Sequence, residues 1–468
     1  MIRLFNSLTK TKEEFSPIED DKVSIYSCGP TVYDRAHIGN LAAFIMADTL
    51  RRMVSLSGHV TKHVMNFTDV DDKTISASQK MFPNLKPGEA LSKLTRDNEQ
   101  SFLSDIKQIG IDSDAIEFVR ATDSIKVMQE LIVQLHEKGI AYAAEDGIYF
   151  SLEKYKQDYE YGLLAHIDAD STSQARINND EYDKSSVHDF ALWKLTSENE
   201  PSWDFEFDGR NMSGRPGWHI ECSAMSKALL GQPFDIHTGG TDLKFPHHEN
   251  EIAQSVGASG DALCNWFLHN EHLLVDGKKM AKSQQNFHTL ADIIEQHYDP
   301  MAFRMLGLQS HYRHQLNFSF DSLQAAQNFL SRVQAKADLI HQSSEAKVEL
   351  PDLEKVQSQM QERLQDDLDT PGAIAQLAEI LDQLNSPINV NELEKYRDFI
   401  AWIDSAFGFG LANRPDISAE QKALIAERER AREKKDFEAS DKLRDKLANE
   451  GIEIEDTSIG PIWSRVSS

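Results

Sequence analysis

The chain has 468 residues, of which 40% are hydrophobic and 27% charged, and this length predicts about two to four domains rather than one core. No apolar run approaches the roughly 18 residues of a membrane span, and the first residues lack a secretory apolar core, so we expect no membrane partner. The formal net charge of -27 disfavours nucleic acid as a partner unless a local basic face exists, and three cysteines favour a reducing, cytoplasmic setting.

A strand, a turn and a helix open the chain. Alternation from Val23 to Ser27 predicts a strand, the pair Gly29-Pro30 ends it, and a helical pattern starts near Leu41. A second strand is predicted from Val60 to Phe67, which completes a βαβ unit. Ligands of open parallel sheets lie beyond the carboxyl ends of the strands, next to helix N-termini that attract phosphate. The turn after the first strand is therefore a candidate nucleotide site.

The side chains of this turn suit a nucleotide. His37 can donate a hydrogen bond to a phosphate oxygen, and Gly39 lets the backbone approach closely, beside Cys28 and Asn40. An isolated histidine at such a turn is more often an ordinary cap or surface residue, so both interpretations of His37 stay open. The polar cluster from Asn66 to Lys73 likewise fits either a site at the sheet edge or an acidic loop that caps the next helix.

The next part of the chain changes pattern twice. From Lys86 to Ala141 it is mostly helical, and from about Tyr142 to Gly214 its periodicity is mixed. We interpret the second part as an insertion in the sheet domain. Its polar tract from Asp168 to Ser186 predicts a mobile surface loop.

The segment from Gly214 to Glu251 contains several residue types that bind metals. It predicts a helix around Cys222, a strand from Phe234 to His237, a tight turn at Gly239-Gly240, and a helix with Pro246 as its first residue. His247 and Glu251, four residues apart, then project from one face of that helix.

Cysteine, histidine and glutamate all bind zinc, which makes a metal site reasonable here. Cys28 could supply a fourth ligand if the sheet places the two segments side by side. The alternative is that Cys222 is a buried helix cysteine and that His247 or His248 is an ordinary residue of a helix start. The residue types alone do not choose between the two histidines.

A basic loop follows the next predicted strand, which runs from His269 to Val275 and ends in a turn at Asp276-Gly277. In the sequence Lys278-Lys-Met-Ala-Lys-Ser283, two mobile ammonium groups could meet the charge that builds on a triphosphate when pyrophosphate leaves. A solvated basic turn is the alternative.

The last third of the chain is predicted to be mainly helical. Residues 318–407 have a helical period without strand signals and predict a bundle, and residues 408–415 predict a linker. Two charged helical runs, Ala419 to Lys435 and Asp436 to Glu450, precede an alternating segment that ends near Trp463. Their arginines and lysines fit either a local basic face or a solvated face with glutamate partners.

Taken in order, these blocks resemble the cysteinyl-tRNA synthetase family of class Ia aminoacyl-tRNA synthetases over essentially the whole chain. The resemblance rests on Cys28-Gly-Pro-Thr-Val-Tyr-Asp before His-Ile-Gly, the Asn66 to Lys73 segment, Gly214-Arg-Pro-Gly-Trp-His-Ile-Glu-Cys-Ser-Ala-Met, Phe245-Pro-His-His-Glu-Asn-Glu, and Lys-Met-Ala-Lys-Ser. It implies an α/β fold: a Rossmann-like parallel-sheet catalytic domain with an insertion, then an all-α helical bundle and a small α+β anticodon-binding domain.

The domain boundaries that we expect follow the same blocks. They are 1–141 for the first half of the catalytic domain, 142–214 for the connective insertion, 215–257 for the second half with the zinc ligands, 258–317 for a stem-contact region with the Lys-Met-Ala-Lys-Ser loop, 318–407 for the bundle, and 418–468 for the anticodon-binding domain.

The resemblance implies an ATP-dependent ligase that makes cysteinyl-adenylate and transfers cysteine to the 3′ end of cysteine tRNA. Its cofactors would be one Zn2+ per chain, which selects the thiolate of cysteine, and Mg2+ with ATP. The implied residues are zinc ligands Cys28, Cys222, His247 and Glu251; ATP-binding residues His37, Gly39, Asn40, Lys279, Lys282 and Ser283, with His37, Asn40, Lys279 and Lys282 as the catalytic set; substrate-binding residues Gly29, Thr68 and Trp218; and tRNA-binding residues Arg428, Arg432 and Trp463.

The chain departs from the family pattern at a few positions. Asn40 replaces the second histidine of the first ATP motif, Ala281 replaces serine, and Gln284-Gln285 replace Leu-Gly after the second motif. The resemblance implies a monomer, and we expect it in the cytoplasm. It also implies that the chain has no editing domain, because the insertion at 142–214 is short for one. Two alternatives are a small-molecule cysteine ligase with an amino-sugar acceptor, which should lack residues 418–468, and a tRNA-binding or zinc-binding module without catalysis, which should have damaged ATP motifs.

Overall fold

A computed structural model of the chain describes residues 1–165, 187–197, 200–280, 286–346 and 348–466, together with the backbone of 172–177. The helices of these residues are α1 (Ile38–Leu56), α2 (Asp72–Met81), α3 (Pro87–Gln108), α4 (Ile125–Glu137), α5 (Leu152–Tyr155), α6 (Trp218–Leu230), α7 (His247–Ser259), α8 (Leu290–Glu295), α9 (Pro300–Leu308), α10 (Phe320–Ala337), α11 (Leu353–Gln365), α12 (Thr370–Leu381), α13 (Leu393–Phe407), α14 (Ala419–Glu433) and α15 (Phe437–Asn449). None of them is long and apolar enough to cross a membrane.

The strands of the described residues form several sheets. They are β1 (Arg3–Asn6), β2 (Thr11–Glu14), β3 (Lys22–Ser27), β4 (Val60–Phe67), β5 (Glu117–Arg120), β6 (Ala141–Ala143), β7 (Gly147–Phe150), β8 (Thr172–Ile177), β9 (Val187–Leu195), β10 (Glu206–Phe207), β11 (Arg210–Asn211), β12 (Gly214–Pro216), β13 (Phe234–Gly240), β14 (Cys264–Asn270), β15 (Leu273–Val275), β16 (Lys278–Lys279), β17 (Leu316–Phe318), β18 (Ser343–Ser344), β19 (Ile388–Asn389), β20 (Ile452–Thr457) and β21 (Gly460–Arg465).

The central sheet has five parallel strands in the order β14-β13-β3-β4-β5. This order is that of a doubly wound, Rossmann-like sheet. The chain starts at β3 in the middle, adds β4 and β5 on one side, and then adds β13 and β14 on the other side. The direction therefore reverses between the neighbouring strands β3 and β13. The carboxyl ends of these two strands border the crevice where such sheets bind ligands. The predicted parallel-sheet fold is confirmed, and Cys28, which directly follows β3, lies at the reversal point.

The structure adds one strand to the predicted pattern and corrects two local predictions. The stretch from Lys86 to Ala141 is mostly helical, as predicted, but it also contains β5, an edge strand of four residues that is too short and too charged to show an alternating pattern. The strand predicted from His269 to Val275 is two strands in different sheets, because the chain leaves the central sheet at Glu271, whose N–H donates to the Tyr312 carbonyl at 2.8 Å.

The predicted turn at Gly239-Gly240 instead continues β13, paired with His269 and Asn270 of β14. Glycine is needed at 239 because a Cβ there would lie 2.8 Å from the ring of His248. This close approach lets α7 pack its histidines directly against the end of the sheet.

The insertion between the halves of the catalytic domain is a second sheet. Its order is β12-β9-β7-β6, antiparallel, with β8 pairing in parallel with β9. The mobile loop predicted from Asp168 to Ser186 lies mostly outside the described residues. Within it, the backbone of Thr172–Ile177 forms β8 rather than a loop.

Helices α10 to α13 follow the catalytic domain and form the predicted bundle, which also includes the two-residue parallel pair β18 and β19. The segment 408–415 packs onto it: Phe409 and Leu411 are buried, and Arg414 makes an ion pair with the buried Asp338 at 2.7 Å. The C-terminal unit is α14, α15 and the β20-β21 hairpin around a small core, which confirms an α+β arrangement.

A buried ion pair joins α1 to α9, and its arginine also bonds the end of the bundle helix α13. Asp48 of α1 accepts from the Arg304 guanidinium at 2.6 Å, and both side chains are fully buried. Arg304 also donates to the carbonyls of Ile109 and Phe407, at the ends of α3 and α13. Arg52, 2.7 Å from Asp48, bonds neighbouring carbonyls of the same two helix ends. Although burial alone would raise the pKa of Asp48, the three nearby arginines hold it well below its usual value.

Arg304→Met should lower the free energy of unfolding by about 2–3 kcal/mol, because it removes the fully buried partner of Asp48 and of the Ile109 and Phe407 carbonyls, while Arg51 and Arg52 still pair with Asp48. Arg332→Met is the matched control. Arg332 makes an ion pair with Asp382 at the same distance, 2.6 Å, but both side chains are exposed, so we expect a loss below about 1 kcal/mol. Urea denaturation followed by tryptophan fluorescence measures both, and equal losses would contradict the assigned role.

Candidate active site and metal centre

A cleft of about 390 Å³ opens at the reversal point of the central sheet. It is large enough for a small ligand. Most of the residues predicted from the sequence line it: Cys28, Gly29, His37, Gly39, Asn40, Thr68, Trp218, Cys222, His247 and Lys279. Glu251 lies beneath it, fully buried.

The four predicted zinc ligands lie together at the floor of the cleft. Ligand atoms of Cys28, Cys222, His247 and Glu251 are all within 4.8 Å of one another. The two sulfurs are 3.8 Å apart, and His247 Nε2 is 3.0 Å from Glu251 Oε1. Two thiolates that each bind Zn2+ tetrahedrally at about 2.3 Å are separated by about 3.8 Å, so the sulfur spacing fits such an ion.

The surroundings of this group also suit a cation. Burial raises the pKa of the Cys28 thiol well above its usual value, and a divalent cation would offset that by stabilising the thiolate. Burial lowers the pKa of His247 to about 3, which keeps the imidazole neutral, the form that binds metals. His219 Nδ1 lies 3.0 Å from His247 Nδ1, so the opposite nitrogen, Nε2, is the one that faces Glu251.

His37 is the N-cap of α1. Its Nδ1 accepts from the Asn40 N–H at 3.2 Å, and the Asn40 side-chain oxygen accepts from the His37 N–H at 3.3 Å. The ring packs edge-on against Phe287 at 5.0 Å and lines the cleft. His37 is thus the cap of α1. It also lies at the N-terminus of this helix, where the positive end of the helix dipole would attract phosphate.

Another part of the cleft wall contains Lys279 and Met280, at the start of the predicted basic loop. Lys279, exposed on β16, lines the cleft, while Lys282 and Ser283 lie outside the described residues, as do Ala281 and Gln284-Gln285. Gly39 packs tightly at this wall, because a Cβ there would lie 2.9 Å from His37 Nδ1 and 3.1 Å from the Met280 methyl group. The close contact explains why glycine occupies this position.

Asn66 organises the floor of the cleft, although no specific role was predicted for it. This buried residue at the end of β4 accepts from the Gly29 N–H at 2.9 Å and donates to Thr68 Oγ1 at 3.1 Å. Its side-chain oxygen is also 3.7 Å from Cys222 Sγ. A polar side chain at the carboxyl end of the predicted second strand was the available signal, since ligands of parallel sheets lie beyond that end.

Trp218 lies on the cleft side of the four candidate zinc ligands and contacts His247. Its indole stacks on the His247 imidazole with ring centres 4.3 Å apart and planes 21° apart. The half-buried indole therefore forms part of the wall against which a side chain bound at the cleft floor would pack.

Two of the three predicted tRNA-binding side chains, Arg428 and Trp463, are buried in the C-terminal unit. Arg428 is 1% exposed and bonds both oxygens of Asp456, at 2.7 and 2.8 Å. Trp463 is 6% exposed, in a small hydrophobic core, and its backbone pairs with the Gln342 side chain. Arg432 is accessible, although it also contacts Asp456 at 2.9 Å.

The sequence missed Phe437, the first residue of α15. Its ring is 62% exposed, and it follows the exposed Lys434 and Lys435. An exposed aromatic ring beside lysines can stack on an unpaired base. The signal in the sequence was an aromatic residue close to several basic residues. Trp463 is also aromatic, but it is buried, and only the structure shows which of the two rings can contact RNA.

Comparison with known proteins gives the family. Residues 14–328 match the model for the class I (C) tRNA synthetase catalytic domain, and residues 414–459 match the cysteinyl-tRNA ligase anticodon-binding domain. The fold also resembles a Mycobacterium tuberculosis methionyl-tRNA synthetase in complex with methionyl-adenylate (TM-score 0.58, 15% identity, 84% of this chain and 88% of the other). An Agrobacterium radiobacter leucyl-tRNA synthetase in a ternary complex has the same TM-score at 12% identity, with 86% of each chain covered.

Similar sequences extend over the full length. The cysteine-tRNA ligase of Leptospira interrogans is 41% identical, that of Brachyspira hyodysenteriae 39% and that of Bacillus cereus 37%, each with 99% of both chains covered. Together with the parallel sheet, the cleft and both domain matches, this identity shows that the chain belongs to the cysteine-tRNA ligase family of class I aminoacyl-tRNA synthetases.

Proposed function

We propose that this chain activates L-cysteine with ATP and transfers it to the 3′ end of cysteine tRNA. In the first step a cysteine carboxylate oxygen attacks the α-phosphorus of ATP and pyrophosphate leaves. In the second step a ribose hydroxyl of the tRNA attacks the carbonyl carbon and AMP leaves. The observation that carries the proposal is the position of four zinc-type ligands at the floor of a cleft whose rim includes the α1 N-terminus and Lys279.

In this proposal Cys28, Cys222, His247 and Glu251 hold one Zn2+ at the cleft floor. That ion would supply a Lewis acid that favours the thiolate form of the substrate cysteine over the hard, weakly acidic hydroxyl of serine. Trp218 packs beside the bound side chain, and Asn66 orients Gly29 and Thr68 around the amino acid. Such selection makes a separate editing domain unnecessary.

ATP would lie at the rim. The α1 N-terminus, with His37, Gly39 and Asn40, is proposed to face the phosphates, because unpaired N–H groups and the helix dipole favour negative charge there. Lys279, Lys282 and Ser283 would close on the other side and stabilise the departing pyrophosphate, which Mg2+ accompanies. Asn40 keeps a side-chain amide that can donate to phosphate or ribose.

We propose that the C-terminal unit binds the anticodon of the tRNA through Arg432 and Phe437. We also propose that the domain boundaries are those predicted from the sequence. We place the protein in the cytoplasm as a monomer; its cysteines are unpaired, as a reducing compartment would keep them. The amino-sugar ligase alternative has less support, since residues 414–459 match an anticodon-binding domain.

Transfer of labelled cysteine to purified cysteine tRNA with ATP and Mg2+ tests the proposal. We expect charging with cysteine, no charging with serine, and weaker charging of a tRNA with an altered anticodon. Cysteine-dependent pyrophosphate exchange without transfer to tRNA would favour a small-molecule ligase, and the absence of both reactions would favour a binding module.

Phe437→Ala should raise the KM for tRNA by about tenfold, the equivalent of one lost stacking contact, while pyrophosphate exchange stays unchanged. Trp463→Ala should instead destabilise the C-terminal unit, since its ring is buried. Charging kinetics and thermal unfolding measure the two effects. An unchanged KM in Phe437→Ala would remove this residue from the proposed interface.

A further inference from the structure

The C-terminal part of the chain contacts the bundle through a buried carboxylate. Asp338, the residue that ends α10, is fully buried and bonds two arginines from outside the bundle helices. Arg414, in the segment before α14, binds both carboxylate oxygens, at 2.7 and 2.8 Å, and Arg465 of β21 binds one of them at 2.7 Å. Arg465 also donates to the Pro415 carbonyl. A two-point contact between an arginine and a carboxylate fixes the relative orientation of the two groups.

A glutamine side chain makes a second contact four residues further on. Gln342, 7% exposed, accepts from the Trp463 N–H at 2.7 Å and donates to the Trp463 carbonyl at 3.0 Å. Its amide thus pairs with one edge of β21 as a neighbouring strand would, while β20 pairs with the other edge. The same amide donates to the Asp338 carbonyl at 3.2 Å, so both contacts belong to one short turn.

Strand β21 also joins two hydrophobic cores. Ile462, 6% exposed, packs in the large core that includes the bundle, while its neighbour Trp463 packs in the small core of the C-terminal unit. Successive side chains of a strand point to opposite faces, so β21 lies between the two cores. The C-terminal unit is therefore docked on the bundle by a strand, in addition to its covalent connection through residues 408–415.

The docked position leaves the proposed RNA contacts accessible. The Phe437 ring is 62% exposed and the Arg432 side chain 40% exposed, and both lie on the helices of the unit rather than on the docking strand. A tRNA bound at the cleft and at the anticodon occupies two sites on one chain. The effective concentration of the second site depends on whether the geometry lets both sites be occupied together. The orientation of the unit therefore affects tRNA more than cysteine or ATP.

We propose that Asp338 and Gln342 are positioning residues that set the orientation in which the C-terminal unit meets tRNA. Neither is among the described residues that line the cleft, and both act through β21 and the segment 408–415. The inference rests on the proposed function, because it concerns how tRNA reaches two sites at once. It makes the docking contact a part of tRNA binding and leaves cysteine activation independent of it.

Gln342→Met tests the proposal, because the substitution keeps the length of the side chain and removes both bonds to Trp463. We expect the KM for tRNA in charging to rise about tenfold, with kcat and pyrophosphate exchange unchanged. Amide hydrogen exchange, followed by mass spectrometry, should become faster in residues 408–417 and 338–344 and stay unchanged in α14 and α15. This pattern distinguishes a unit that has undocked from a unit that has unfolded.

Two further variants complete the design. Gln324→Met makes the same chemical change on an exposed position of α10, where the Gln324 amide bonds Asn328 at 2.9 Å, and it should keep both the KM for tRNA and the exchange pattern. Arg465→Met removes one of the three bonds to Asp338 from a side chain that is 29% exposed. It should change both quantities in the same direction as Gln342→Met, and it decides the question if Gln342→Met fails to fold.

An unchanged KM for tRNA in Gln342→Met and Arg465→Met would overturn the proposal. Faster exchange throughout α14 and α15 would overturn it as well, because the two contacts would then serve the stability of the unit rather than its orientation. Charging by the unmodified protein tests the proposed function separately. Its failure there is distinguishable from a failure of this inference, which shows only as the difference between the variants and the Gln324→Met control.

Discussion

Cys222→Ser is expected to lower kcat/KM for cysteine in pyrophosphate exchange by about 10³-fold or more, with loss of bound zinc. The hydroxyl of serine is a poor zinc ligand, and Cys222 Sγ lies 3.8 Å from Cys28 Sγ in the proposed ligand set. The site lies inside a domain with a large core of its own, so we expect the fold to survive. Zinc analysis, pyrophosphate exchange and circular dichroism measure the three quantities.

The chain provides a matched control for this substitution. Cys264 is also a buried cysteine, 3% exposed, but its sulfur contacts the Trp266 carbonyl oxygen at 3.4 Å and is not among the proposed zinc ligands. Cys264→Ser makes the same chemical change and should keep both zinc and activity. If Cys222→Ser retained zinc and cysteine activation, the assignment of the ligand set would be wrong. If both variants lost activity together, the cause would be general destabilisation.

His37→Asn is expected to lower kcat of pyrophosphate exchange by about 10²–10³-fold, the usual effect of removing one donor to a developing charge. Asparagine is among the best N-cap residues, so the substitution keeps the cap on α1 while it removes the imidazole from the cleft. Zinc content and the unfolding midpoint should stay unchanged. The design therefore separates catalysis from helix capping, the two roles that the sequence left open for this histidine.

The exposed His297 provides the comparison, because it lies outside the cleft lining. Its backbone has a φ of 65°, a left-handed conformation that asparagine tolerates well, so His297→Asn should leave activity and stability unchanged. If His37→Asn also retained full activity, His37 would be only a helix cap. The ATP site would then depend on the basic loop and the backbone of α1.

Local pattern was enough to predict much of this fold. The β3-α1-β4 unit, the helix around Cys222, the helix that starts after Pro246 and the two C-terminal helices all follow from periodicity, glycine and proline positions. Short elements were missed: the four residues of β5 contain too few alternating positions to differ from a helix or a loop. Such an edge strand forms because a neighbouring strand, here β4, offers backbone hydrogen bonds. A local sequence pattern contains no information about that neighbour.

Local sequence was enough to predict the family motifs, their order and the candidate metal ligands, because each motif consists of neighbouring residues. Which side chains lie together in the cleft depends on how the elements pack, and no local pattern records that. His247 and His248 are adjacent in sequence, yet a helix turns by about 100° per residue, so one faces Cys222 and the cleft and the other faces Cys28 from behind. Burial was decided in the same way, since packing covers Arg428 and Trp463 and leaves Phe437 exposed.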